Sequence, residues 1–145
     1  MTTPNFAFEH FVDGRFIAAA GNTVEVYNPS TEIRIGSMPD GDAQLVDRAV
    51  SVARAAQDKA ATLPAIERGQ YLRRMATVMR ENLPRLAQVI AIEQGKVMPL
   101  AEMEVALAAE YLDYTAEWAR RIEGEIVTSD RPGENILLFR RPKGV

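Results

Sequence analysis

Cysteine is absent from this chain of 145 residues, and histidine occurs only once, at His10. Without cysteine the chain can form no disulfide, no thiolate metal site and no cysteine nucleophile. The single histidine stands in an aromatic stretch with Phe6, Phe8 and Phe11. That setting favours a packed or surface side chain over a metal ligand or a member of a Ser-His-Asp triad.

Long hydrophobic runs and phosphate-binding glycine motifs are missing as well. No apolar run could span a bilayer, and residues 1–5 carry neither the positive charge nor the apolar segment of a secretory signal. Neither G-x-G-x-x-G nor a Walker A pattern is present, so the chain is not expected to hold a dinucleotide phosphate. The net charge of −3 gives no reason to expect nucleic acid or an anionic membrane as partner. Together these absences favour a cytoplasmic protein.

The first 40 residues have the pattern of short strands and tight turns. Asp13-Gly14 separates two apolar pairs, which is the strongest short-range hairpin signal. Residues 23–27 alternate between apolar and polar, and the alternation resumes at 33–37 after a predicted Asn-Pro-Ser-Thr turn at 28–31. We therefore expect a small β-rich beginning.

Four helices are expected next, because apolar residues recur at helical spacing. The first is expected at 42 to about 59, and the second begins near Pro64. The third is expected to run from an Asn82 N-cap to a stop at Gly95, and the fourth from Pro99 to Glu123, before Gly124.

The fourth helix carries two apolar stripes on nearly opposite sides, which predicts that both sides are covered. The first stripe is expected to be core: Leu100, Met103, Leu107, Tyr111, Tyr114 and Trp118. The second consists of Val105, Ala109, Leu112, Ala116, Ala119 and Ile122. Carboxylates between the stripes are expected to be solvated rather than catalytic: Glu102, Glu104, Glu110, Asp113 and Glu117.

The last residues are strand-like and lack a polar tail. Residues 136–139 are apolar and follow a Pro132-Gly133 turn, which predicts a buried or paired strand opposite 125–128. A terminal strand usually runs out into polar, disordered residues. We therefore expect the chain to be part of a longer protein.

Several motifs together resemble the N-terminal segment of the NAD(P)-dependent aldehyde dehydrogenase superfamily. They are residues 27–31 (Tyr-Asn-Pro-Ser-Thr), the Gly95-Lys96 helix stop, and residues 114–119 (Tyr-Thr-Ala-Glu-Trp-Ala) followed by Gly124. Longer stretches are similar to the lactaldehyde and glycolaldehyde dehydrogenases within that superfamily, namely residues 63–68, 111–121, 123–126 and 129–139. The resemblance extends from about residue 10 to the end.

The resemblance implies a much longer enzyme that oxidises a small hydroxyaldehyde, such as lactaldehyde or glycolaldehyde, to the acid with NAD or NADP. In the family a cysteine attacks the aldehyde, hydride passes to the nicotinamide, and a glutamate-activated water releases the acid. The family's oxyanion asparagine lies in a Pro-Trp-Asn motif beyond this stretch, and Asn135 stands in a different context. No catalytic or cofactor-contacting residue carries over, so this chain alone is expected to be inactive and to bind no cofactor.

The implied fold is α/β, with short peripheral strands around a helix-rich part. Residues 1–123 would form an incomplete N-terminal part of the dinucleotide-binding domain, and residues 124–145 a truncated oligomerisation β-hairpin in a dimeric or tetrameric parent. The resemblance also implies a monovalent cation bound through backbone oxygens of Val26, Tyr27 and Glu93. It further implies a substrate channel beside Met103 and Leu107, unless these two are core. Oligomer contacts are implied at Ile136, Leu138, Phe139 and Arg140.

Two hypotheses stand beside that of an inactive fragment. A non-catalytic assembly module would pair with full-length subunits through the strand at 136–142. A small intact enzyme with its own chemistry is the third, although its histidine and carboxylates form no evident site. Apolar helix faces left exposed in a fragment predict that the chain aggregates when isolated.

Overall fold

A computed structural model describes residues 6–7, 9–17 and 21–145. Within these residues the elements follow in the order β1 (Phe6–Ala7), β2 (His10–Val12), β3 (Arg15–Ile17), β4 (Thr23–Tyr27), β5 (Arg34–Pro39), α1 (Ala43–Thr62), α2 (Ala65–Glu81), α3 (Leu83–Gln94), α4 (Met98–Glu117), a 3-10 turn (Trp118–Arg120), β6 (Glu125–Thr128) and β7 (Asn135–Leu138). The helix-rich arrangement with short strands confirms the expected fold class. Residues 1–5, which were considered for a secretory signal, and Phe8, which belongs to the aromatic stretch around His10, lie outside the described residues.

The hairpin of β2 and β3 forms where Asp13-Gly14 predicts it. Asp13 has a φ of 57° and Gly14 a φ of 70°, as a type I′ turn requires at both of its central positions. The register pairs Phe11 with Phe16, whose rings pack edge to face at 5.1 Å. The local signal thus sets both the turn and the pairing.

The second small sheet has the order β1-β5-β4, with β4 antiparallel and β1 parallel to β5. Asn28 makes the predicted turn after β4, because its Oδ1 accepts hydrogen bonds from the backbone N–H groups of Ser30 (2.8 Å) and Thr31 (3.2 Å). The pairing register shifts between Val26 and Tyr27. Such a bulge leaves part of the backbone ladder unpaired.

Helices α2, α3 and α4 pack against one another through small residues. A Cβ added at Gly69 would lie 3.1 Å from both the Ala116 carbonyl oxygen and the Ala119 Cβ, so α2 and α4 approach closely. The buried residues of these helices are Gly69, Ala76, Ala87, Ala101, Val105, Ala109 and Ala116. By contrast, α1 contains no buried residue. None of the helices in the described residues is both long and apolar enough to cross a membrane.

The helix ends include both of the ends predicted for α3 and a cap on α1 that the sequence analysis did not name. Asp42 caps α1 by accepting from the Leu45 N–H at 2.7 Å, and Gly95 ends α3 in the left-handed region with a φ of 67°. Asn82 is the N-cap residue of α3, as predicted, but its side chain makes no capping hydrogen bond to α3. Its Nδ2 donates to the Val78 carbonyl at 2.9 Å, because Asn82 alone joins two helices and serves the end of α2.

The fourth helix is shorter than predicted. It ends at Glu117 and continues as a 3-10 turn to Arg120, so it does not run to Glu123 with Gly124 as its stop. Gly124 has a different role, because a Cβ at this position would collide with the Leu138 carbonyl oxygen. The glycine therefore allows the chain to pass close beneath the end of β7.

The prediction that α4 is covered on both sides is also wrong for the described residues. The face that carries Val105 and Ala109 is buried. The opposite face is exposed and consists of Leu100, Met103, Leu107, Tyr111, Tyr114 and Trp118, which we call the α4 outer face. Periodicity identified both apolar faces correctly, but it carries no information about what lies over each of them.

Candidate functional site

The α4 outer face brings the two predicted channel residues together on the open surface. Met103 is 52% exposed and Leu107 is 53% exposed, so the expectation that they are core is wrong for this chain. They are four residues apart, which places them one above the other on the same side of the helix. The face is therefore an apolar wall that the described residues leave accessible.

The rim of this wall is acidic and solvated. Four of the five carboxylates on α4 are exposed, and Asp113 is half-buried. Glu104 pairs with Lys96, and Asp113 pairs with Arg80 on α2 at 2.7 Å. Within the described ranges no group of three His, Cys, Asp or Glu side chains could hold a metal ion. The rim therefore has the solvated character that the sequence predicts.

The three positions of the predicted cation site lie on neighbouring backbone segments. Tyr27 ends β4 at the bulge, and the turn that follows packs on the end of α3, where a Cβ at Gly95 would collide with Ser30 Oγ. Glu93 belongs to the last turn of α3, whose carbonyl groups lack partners within the helix. Carbonyl oxygens are ligands that hard cations accept. The side chains of Tyr27 and Glu93 are themselves exposed.

The predicted oligomer contacts lie on and just after β7. Ile136 and Leu138 are strand residues, whereas Phe139 and Arg140 follow the strand, and all four are exposed. Within the described chain β7 pairs only with β6. The Arg140 Nε donates to the Glu123 carbonyl at 3.2 Å, which fastens the end of the hairpin to the segment after α4. An apolar two-stranded ribbon is thus presented to the outside.

His10 lies in a cleft that the sequence did not reveal. The cleft has a volume of about 620 Å³ between the β2–β3 hairpin, the end of β5 and the start of α1. The His10 ring packs against Gly41, and its Nε2 is buried without a hydrogen-bond partner in the part of the chain described. Strand alternation could have indicated this, because it puts His10 and Phe11 on opposite faces of β2. His10 is therefore a packed side chain, facing away from the Phe11–Phe16 pair.

Comparison with known proteins places this fold in one family. The family model described as "Aldehyde dehydrogenase family" matches residues 16–145. Lactaldehyde dehydrogenase of Escherichia coli is 48% identical over 136 residues, which are 93% of this chain and 28% of that protein.

Solved structures agree with the sequence comparison. The crystal structure of lactaldehyde dehydrogenase from Escherichia coli has a TM-score of 0.90 at 47% identity, covering 94% of this chain and 28% of that one. The structure of 3,6-anhydro-L-galactose dehydrogenase in complex with NAP has a TM-score of 0.83 at 35% identity, covering 90% of this chain and 28% of that one.

The present chain thus spans a little over a quarter of the length of the relatives it matches, about 28%. The family model extends from residue 16, within β3, to residue 145, and the structural similarity covers 94% of the chain. This confirms the resemblance inferred from the motifs at 27–31 and 111–121. The chain belongs to the aldehyde dehydrogenase family.

Proposed function

We propose that the chain is the N-terminal part of an enzyme that oxidises a small hydroxyaldehyde, such as lactaldehyde or glycolaldehyde, to the acid. The observation that carries this proposal is the 48% identity to lactaldehyde dehydrogenase across 93% of the chain. Residues 1–123 would be the first part of the dinucleotide-binding domain, and residues 124–145 the oligomerisation hairpin. The parent enzyme would be cytoplasmic, and the absence of disulfide-forming cysteines from these 145 residues is compatible with a reducing compartment.

The chemical step itself belongs to residues outside this chain. The family's reaction needs a thiolate nucleophile, and the chain has no cysteine. NAD or NADP would accept the hydride in the parent enzyme, in keeping with the NAP-bound 3,6-anhydro-L-galactose dehydrogenase. No glycine-rich phosphate motif occurs here, so we assign no residue of this chain to the dinucleotide. The isolated chain is therefore proposed to be inactive.

Met103 and Leu107 supply one wall of the aldehyde channel in this proposal. Both side chains are apolar and project from the exposed side of a continuous helix. Ligand pockets are lined mainly by apolar side chains, which bury the carbon chain of a substrate and exclude water. The wall would orient a short aldehyde without contributing a reactive group.

A monovalent cation held by carbonyl oxygens of Val26, Tyr27 and Glu93 would join β4 to α3. The register shift at Val26/Tyr27 and the unpartnered carbonyl groups at the end of α3 support this assignment. The contact between Gly95 and the 28–31 turn holds the two segments together. The cation would be structural, because it would tie the backbone of β4 to that of α3.

The hairpin of β6 and β7 would join subunits into a homodimer or homotetramer. Ile136, Leu138 and Phe139 provide apolar contacts, and Arg140 lies at their edge. Pairing of an exposed strand with a second chain supplies backbone hydrogen bonds as well as side-chain contacts. The same exposed strand favours the second candidate function, a non-catalytic module that assembles with full-length subunits.

The test compares the chain alone with the chain joined to the remainder of E. coli lactaldehyde dehydrogenase, which we call the joined enzyme. Oxidation of lactaldehyde and glycolaldehyde is followed by the absorbance of the reduced dinucleotide, with NAD and with NADP, and the natural E. coli enzyme is the control. We expect activity in the joined enzyme and none in the chain alone. Activity of the chain alone would overturn the proposed location of the chemistry.

Size-exclusion chromatography separates the two candidate functions. The chain is mixed with the natural E. coli enzyme and run beside each component. A stable mixed oligomer would support the assembly module. A chain that elutes as a monomer both alone and in the mixture would exclude that candidate.

The activity test decides on the enzymatic proposal. A folded joined enzyme that is inactive beside an active control would contradict the enzymatic proposal.

A further inference from the structure

The α4 outer face changes its chemistry along its length. Its first three members, Leu100, Met103 and Leu107, are purely apolar, whereas Tyr111, Tyr114 and Trp118 carry polar groups at their tips. Tyr111 follows Leu107 by four residues and thus lies about 6 Å further along the same side of the helix. A phenol hydroxyl therefore stands at the end of the apolar wall.

The Tyr111 hydroxyl is available to a ligand. Tyr111 is 70% exposed, more than any other member of the α4 outer face. Its backbone carbonyl accepts from the Thr115 hydroxyl at 2.8 Å, but its phenol group has no hydrogen-bond partner among the described residues. A phenol can both donate and accept, so it matches an alcohol group on a substrate.

Tyr111 belongs to a row of three aromatic rings on the α4 outer face. The Tyr114 ring lies between the Tyr111 ring, at 6.3 Å between centroids, and the Trp118 ring, at 6.4 Å with an edge-to-face arrangement. Aromatic neighbours at these distances attract one another. A ring with an aromatic neighbour loses less freedom than an isolated ring when its hydroxyl binds a ligand.

We propose that Tyr111 is a specificity-determining residue whose hydroxyl hydrogen-bonds the alcohol group of a hydroxyaldehyde. The inference rests on the proposed function, because it assumes that Met103 and Leu107 form the channel wall. An apolar wall alone discriminates weakly between an aldehyde and its hydroxylated analogue. A hydrogen-bonding group at the end of that wall favours the hydroxylated substrate. When the plain aldehyde binds, the Tyr111 hydroxyl has no alcohol group to pair with, and that loss lowers the affinity for the plain aldehyde.

The test uses the joined enzyme with the substitution Tyr111→Phe, which removes the hydroxyl and keeps the ring. kcat/KM is measured for two pairs of substrates, lactaldehyde with propionaldehyde and glycolaldehyde with acetaldehyde. We expect the preference for the hydroxylated member of each pair to fall about tenfold, as for the loss of one hydrogen bond, with the plain aldehydes little changed. Tyr71→Phe is the matched control, because Tyr71 is an exposed tyrosine on α2.

Different failures have different meanings. An unchanged preference in Tyr111→Phe, or an equal loss for both members of each pair, would overturn the role of Tyr111 while the proposed function stands. A joined enzyme with native Tyr111 that is folded and oxidises none of the four aldehydes would overturn the proposed function and the inference with it. A change of preference in Tyr71→Phe of the same size would show a non-specific effect and would also overturn the inference.

Discussion

The two faces of α4 distribute side-chain size in the reverse of an ordinary amphipathic helix, in which the large apolar side chains are buried. The inner face is buried but made of small residues, Ala101, Val105, Ala109 and Ala116. The outer face is exposed and holds the large side chains, including Leu107 and Trp118. Full burial of a large apolar side chain stabilises a protein by about 1.5–3 kcal/mol. Most of the apolar surface that α4 could bury is therefore on the face that this chain leaves open.

The difference shows that the two faces serve different contacts. The inner face stabilises the three-helix layer through close approach, since Gly69 leaves no room for even one methyl group without displacement of α4. The outer face has no such partner within the described residues, and large exposed apolar patches are typical of binding or interaction sites. The inner face should therefore be sensitive to added volume, and the outer face to lost hydrophobicity.

Ala76→Leu should give the largest effect on stability. Ala76 is 0% exposed, so a larger side chain overpacks the α2–α4 layer, and we expect a loss of about 3 kcal/mol in the free energy of unfolding. Urea unfolding of the chain at low concentration, followed by the fluorescence of its single tryptophan at Trp118, measures this. Met75→Leu, one residue away and exposed, should change the free energy of unfolding by less than about 0.5 kcal/mol. Equal losses in both variants would contradict the comparison.

Leu107→Gln tests the outer face and should act in opposite directions in two proteins. In the isolated chain it removes exposed apolar surface, so the soluble fraction at high concentration should rise. In the joined enzyme it weakens the proposed channel wall, and kcat/KM should fall about tenfold, or about 1.4 kcal/mol. Val46→Gln on α1, where Val46 is similarly exposed, is the control for a general change of solubility.

Two results would contradict the roles that we assign to the α4 outer face. If the unsubstituted chain stays monomeric at high concentration, the outer face does not cause aggregation. If Leu107→Gln leaves the joined enzyme fully active, the face is not a channel wall. Val46→Gln should leave kcat/KM unchanged, since α1 is not part of the proposed site.

Local signals in the sequence predicted the parts of the fold that local physics determines. The Asp13-Gly14 hairpin, the Asn28 turn and the Gly95 stop all depend on conformations that few residue types adopt. Asn82 occupies the predicted N-cap position of α3, but its side chain bonds the end of α2, because only one residue separates the two helices and both ends compete for one amide.

The candidate site was only partly predictable for a related reason. Helical spacing placed Met103 and Leu107 on one stripe, but it could not say that the stripe is exposed, because exposure depends on what the rest of the structure covers. Tyr27 and Glu93 are far apart in sequence, and only the packing of the 28–31 turn on the end of α3 makes their segments neighbours. The resemblance to a family supplied these positions, whereas residue patterns alone did not.

Gly69→Ala should have an intermediate effect on the inner face. The new Cβ would lie 3.1 Å from the Ala116 carbonyl oxygen and from the Ala119 Cβ, so α4 must move by a few tenths of an ångström. Alanine favours a helix over glycine by about 1 kcal/mol, which offsets part of the cost. We expect a net loss of about 1 kcal/mol in the free energy of unfolding by urea. Gln70→Ala, on the exposed side of α2, should be neutral, and a stabilising Gly69→Ala would contradict close packing here.

The Arg80–Asp113 ion pair between α2 and α4 should have the smallest effect. Its atoms are 2.7 Å apart, but the two side chains are 45% and 38% exposed, so solvent screens their attraction. A double-mutant cycle of Arg80→Ala and Asp113→Ala should give a coupling of about 0.5 kcal/mol that weakens as salt is added. A salt-independent coupling above about 1.5 kcal/mol would contradict this prediction. In that case charge at the rim, as well as the fit of small buried residues, would hold α4 in place.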